Sequence, residues 1–160
     1  MSLWPSYLAL LLSLALILMI WVNHHELFRL VRGLNHTLMF ANGALLLMVT
    51  LAPFSTMVLA QHLGRPAANT AVAFYCGTFF LTSVFHNLLF EAAVYQSRLL
   101  QPGTSQSLII HLRRSYRFGM AVYALAAIVA IWSAIGGLII STCLRLLWTR
   151  LHRRRCEAEK

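Results

Sequence analysis

The stretch Phe118–Trp148, FGMAVYALAAIVAIWSAIGGLIISTCLRLLW, decides how this chain is folded. Thirty-one residues of this composition need a lipid solvent. As one helix they would reach roughly 46 Å at 1.5 Å per residue, against a hydrocarbon thickness of about 30 Å. Such a helix would have to tilt strongly. The other path folds two short helices of about fifteen residues back on each other near Trp132-Ser133. The first path gives the chain four spans and the second gives it five.

The positive charges choose between the two. Arg29 and Arg32 fall in the first loop and Arg65 alone in the second. Arg98, Arg113, Arg114 and Arg117 fall in the third, and Arg145, Arg150, Arg153, Arg154, Arg155 and Lys160 belong to the tail. Five spans put twelve of the thirteen basic residues on one side, whereas four spans set the tail opposite the other basic loops. Positively charged loops stay in the cytoplasm. The expectation is therefore an all-α polytopic transmembrane bundle of five spans, four being the alternative, with the amino terminus outside and the carboxyl tail cytoplasmic.

Working outward, the remaining spans are expected over about 4–22, 38–60 and 68–95, ahead of 118–132, 134–148 and a basic tail 149–160. Together they make one membrane domain, 1–160. The first span begins with no charged n-region and no small-residue cleavage site, so it reads as a retained helix with Trp4, Tyr7 and Trp21 near its ends. Pro53 should kink the second. The third carries Tyr75, Thr78, Thr82, Ser83, His86, Asn87 and Glu91. Polar groups are costly in lipid, so that side should face protein or water, with Thr82, His86 and Asn87 near a common face. Gln96–Arg117 reads as a linker.

The totals agree. The chain is 59% hydrophobic and 11% charged, less than half the charge of an ordinary soluble domain. The net charge of +9 sits beside apolar blocks, where it sets topology and meets lipid headgroups, so no nucleic-acid partner is expected. Cys76, Cys143 and Cys156 form no C-x-x-C pair, which supports neither a zinc site nor a disulfide framework. Only four acidic residues are present and there is no nucleophile elbow or P-loop, so an enzyme is not expected. His24 and His25 are adjacent, about 100° apart on a helix, and lack the H-E-x-x-H spacing, so no metal site is expected. A haem-binding bundle with His86 and His24 or His25 as axial ligands is the alternative class, beside an interaction subunit. No cofactor is expected on the leading reading.

The segment Trp21-Val22-Asn23-His24-His25-Glu26-Leu27-Phe28 resembles the W-x-N-H-H-x-x-F signature of the transmembrane protein 175 family, the endolysosomal potassium channel and its bacterial relatives. Asn42, followed by an apolar run to Ala52-Pro53-Phe54, is similar to that family's next helix. Tyr75 fits a tyrosine of the helix after it, and the Ser133 break resembles the turn between the family's last two helices. The resemblance implies a subunit of a potassium-permeable channel, with K+ ions and the lipid bilayer as partners. It also implies a homo-oligomer, a tetramer as in bacterial relatives, in a bacterial plasma (inner) membrane. Trp21, Asn23, His24 and Asn42 would form a structural hydrogen-bond network. The pore filter is expected on a preceding helix bearing R-x-x-x-F-S-D, a motif that does not occur in these 160 residues. A six-helix subunit read from a late start codon is the expected explanation, a five-span variant the alternative. In-frame codons for that motif upstream of Met1 would decide.

Overall fold

A computed structural model describes residues 4–95 and 99–158, with side-chain detail for 13–95 and 99–147 together with Tyr7 and Leu11. The side chains of Trp4, Arg98 and Cys156 and the basic side chains from Arg150 onward lie outside the described residues. Among the described residues six helices run in order: α1 (Trp4–Arg29), α2 (His36–Thr50), α3 (Ala52–His62), α4 (Ala68–Tyr95), α5 (Gln106–Trp132) and α6 (Ala134–Ala158). Among the described residues there is no strand beyond an isolated bridge, Val31 to Leu100. Helices His36–His62, Ala68–Tyr95 and Gln106–Trp132 are long and apolar enough to cross a membrane, and Ala134–Leu147 is a shorter apolar helix.

Helices α2 and α3 form one kinked rod. Pro53 offers no amide hydrogen, and its ring crowds the carbonyl one turn back, so the break falls just ahead of it. Leu51 caps α2 with its amide on Met48 O, and Pro53 occupies the first turn of α3. The Ala52 carbonyl accepts from both Ser55 Oγ (3.0 Å) and Thr56 Oγ1 (2.8 Å), which keeps these buried hydroxyls satisfied within the helix.

The rods alternate in direction. The loops after α1 and before α5 meet at one end, where Arg32 N donates to Leu99 O (2.7 Å) and Gln101 N to Leu30 O (2.9 Å). At the other end Asn69 joins the start of α4 to the α5–α6 turn. Its Oδ1 accepts from Ala134 N (2.9 Å), and its Nδ2 reaches the Ile131 and Trp132 carbonyls (3.3 Å each). Helix α6 then folds back along α5. A Cβ built on Gly137 would come within 2.7 Å of Ala130 Cβ and 3.0 Å of the Ala126 carbonyl. Glycine there lets the two backbones approach closely.

Two differences from the sequence reading have plain causes. Residues 106–117 are not a linker: α5 begins at Gln106, because Ile109, Leu112 and Tyr116 recur at helical spacing and are all buried. Arg145 does not belong to the solvated tail, since its side chain reaches into the bundle between α4 and α5.

Helix α4 is the hub, packed against α2, α3, α5 and α6, while α1 lies on α3. Two apolar clusters divide the interior along it. One gathers Leu16, Ala52, Leu59, Val72, Tyr75, Cys76, Phe79, Ala126 and Ala130 toward the α5–α6 turn. The other gathers Leu27, Leu38, Leu45, Leu89, Phe90, Ala93, Ile109, Leu112 and Tyr116 toward the basic loops. Large apolar side chains such as Leu18, Phe40, Leu47, Leu88, Leu125 and Ile139 point outward, as a lipid-facing surface requires.

Candidate functional site

Polar side chains collect between the two apolar clusters. A cavity of ≈ 100 Å³ opens there, with walls from α1, α4, α5 and α6. Helix α4 supplies Thr82, Ser83, His86 and Asn87 to one wall, as three- and four-residue spacing allows. Their local bonds are helical: Thr82 Oγ1 donates to Thr78 O (2.8 Å), and Asn87 Nδ2 donates to Ser83 O (2.9 Å) and across to Tyr116 O (3.2 Å). His86 is 8% exposed and meets Tyr116 edge to face, ring centroids 4.7 Å apart.

Arg145 enters from α6. Its Nη1 donates to Tyr75 Oη at 2.6 Å and its Nε to Tyr123 Oη at 3.4 Å. The guanidinium carbon lies 4.5 Å from the Phe79 ring centre and 5.1 Å from that of Tyr75. Aromatic faces attract a cation electrostatically and help replace lost water. Two buried nitrogens of this region have no hydrogen-bond partner among the described residues, His86 Nε2 and Arg145 Nη2.

Of the four residues singled out in the sequence, two come together. His24 Nε2 and Asn42 Oδ1 are 2.7 Å apart, tying the C-terminal part of α1 to α2. Asn23 turns away, donating to Met19 O (3.0 Å) and lining the cavity. Trp21 is 57% exposed and stacks on His25, centroids 5.3 Å apart. The divergence follows from the helix itself, since residues 23 and 24 point about 100° apart.

Glu91, five residues beyond His86, is turned to α5. Arg113 clamps it through Nε and Nη2, both at 2.8 Å, and Arg117 Nη2 adds a contact at 3.3 Å. The i, i+4 periodicity within α4 gave no sign of this pair, since its partners come from α5. Asn69 and Arg145 were likewise missed as tertiary anchors.

The site gives no support to a porphyrin. His24 Nε2 is occupied by Asn42, and a space of ≈ 100 Å³ is below the usual range of organic cofactor pockets. Among the described residues no cluster of three histidine, cysteine or acidic side chains is placed to hold a metal.

The family model for endosomal/lysosomal potassium channel TMEM175 matches residues 1–53. A potassium channel of Chamaesiphon minutus is 39% identical over 139 residues, which cover 85% of this chain and 68% of the relative. A potassium channel of Streptomyces collinus is 40% identical over 73 residues, covering 45% of this chain and 35% of that protein. The crystal structure of a lysosomal potassium-selective channel TMEM175 homolog from Chamaesiphon minutus superposes with a TM-score of 0.79 at 35% identity, over 92% of this chain and 74% of that one. A likeness that extends through sequence and through nearly every helix makes this all-α membrane bundle a member of the TMEM175 family.

Proposed function

We infer that this chain is a subunit of a potassium channel rather than an enzyme. The observation that carries the reading is the superposition on a potassium-selective homolog at 35% identity over 92% of the chain. Relatives in two bacteria, 39% and 40% identical over the matched stretches, are named potassium channels.

The finer assignments rest on physical argument. Two apolar clusters close the bundle's interior on either side of the cavity, so conduction requires a path between copies of the chain. A homo-oligomer, a tetramer on the family resemblance, supplies such a path. The amino terminus lies outside and the carboxyl tail in the cytoplasm of a bacterial inner membrane, because Arg29, Arg32, Arg113, Arg114 and Arg117 gather at one end of the bundle and Arg65 at the other. His24 and Asn42 act as structural glue in this scheme, holding α1 on α2, and Trp21 and Asn23 flank that joint.

The test is cation flux from liposomes reconstituted with the protein expressed from its whole gene. Potassium-loaded vesicles should discharge on adding a protonophore, and sodium-loaded vesicles should discharge more slowly. Chemical cross-linking of the same vesicles should give a closed series of oligomers. Equal potassium flux in vesicles with and without protein would sink the reading.

A further inference from the structure

Arg145 carries a permanent charge, since a guanidinium stays protonated in proteins. Its surroundings balance that charge incompletely. Tyr75, Phe79 and Tyr123 offer hydroxyl oxygens and ring faces but no net negative charge. None of the residues lining the cavity is acidic. Glu26 is held by Arg29, Glu91 by Arg113 and Arg117. Glu157 lies twelve residues further along α6, about 18 Å by helical rise.

The unused hydrogen-bonding groups belong to the same place. Arg145 and His86 both line the cavity, and Arg145 Nη2 and His86 Nε2 are buried without partners among the described residues. Thr82, Ser83, Asn23 and Asn87 complete a polar wall. Water would satisfy hydrogen bonds but leave the charge in a low-dielectric interior, where an uncompensated ion is costly. A cation is excluded by sign. The volume of ≈ 100 Å³ admits a small ion with a water or two, not an organic acid. Tyr75 and His86 flank the middle of α4, so the cavity sits at mid-depth, out of reach of a headgroup phosphate.

We propose that this cavity binds a small monovalent inorganic anion of about chloride's size, with Arg145 as counter-charge and His86 as a donor. The bound ion would neutralise the part-buried Arg145 and cement α6 to α4 and α5. The inference stands apart from the potassium-channel reading, since the site lies inside one copy of the chain.

The experiment is a thermal melt of the purified full-length protein at constant ionic strength, replacing sodium gluconate stepwise by sodium chloride. Chloride should raise the melting temperature saturably by about 5 °C, and bromide should do the same, whereas gluconate is too large to enter. Arg145→Met should abolish the response, and Ser83→Leu, which fills the cavity while leaving Arg145 in place, should abolish it too. Crystals grown in bromide should show an anomalous peak in the cavity. Identical melts of the unaltered protein in chloride and gluconate would overturn the proposal even if neither variant folds. So would a retained chloride response in Arg145→Met, or a bromide peak confined to other places.

Discussion

Arg145 and Tyr75, seventy residues apart in sequence, meet at 2.6 Å in the interior of the bundle, the guanidinium donating to the phenol oxygen. The contact pins α6 to α4 beside Tyr123 of α5. It also explains how an arginine is tolerated in an apolar helix: the charge is directed inward, to hydroxyls and ring faces, rather than to lipid.

Tyr75→Phe removes that acceptor and leaves a charged donor short of a partner. The expected loss is about 1–2 kcal/mol, between the average for polar contacts in membranes and that for bonds to charged groups in water. Adding Arg145→Met to Tyr75→Phe should recover much of it, because an apolar pair of similar volume needs no compensation. Melts of the two single variants and the double variant give the coupling directly.

The α5–α6 turn rests on Gly137. Gly137→Leu drives a side chain into Ala130 and the Ala126 carbonyl, and should cost about 1–3 kcal/mol or open the hairpin. Gly43→Ala is the contrast, since a Cβ there meets nothing within 4 Å. It should leave the melting temperature unchanged or raise it by the equivalent of up to about 1 kcal/mol, from helix propensity.

At the end of the bundle where the arginine-bearing loops meet, Glu91→Gln releases Arg113 and Arg117. The carboxylate is 37% exposed, so the loss should stay near about 1 kcal/mol and shrink as salt rises. Hydrogen exchange should quicken selectively over residues 106–117, where α5 extends past the apolar block.

His24→Ala and Asn42→Ala should each lower stability by about 1 kcal/mol, and the double variant by less than the two together, because they share one bond. Trp21→Phe should be nearly silent in the same melts, since that ring is largely exposed and stacks on His25.

Much of the architecture was readable along the chain. Hydropathy runs are local properties, so the helical rods could be placed from composition, and Pro53 marked its own kink. The arginines are equally local: Arg29, Arg32, Arg113, Arg114 and Arg117 lie at one end of the bundle because the rods alternate between them. The start of α5 was legible in the spacing of Ile109, Leu112 and Tyr116 but masked by the charges interleaved with them. Of the signature at Trp21–Phe28, the family could be read, together with the kinship of His24 to Asn42.

What only the tertiary structure decided was which polar groups face one another. Arg145 follows a hydrophobic run and precedes five more basic residues, and nothing in that order says that it turns inward to Tyr75. Asn69 looks like any residue at a helix start until α5 ends beside it. Glu91 has its partners on another helix, and His86 has its cavity. The physical reason is the same in each case. A span is specified by the transfer of its own residues into lipid, one segment at a time. A buried polar side chain is specified by the neighbours that satisfy it, and those arrive only when the helices pack.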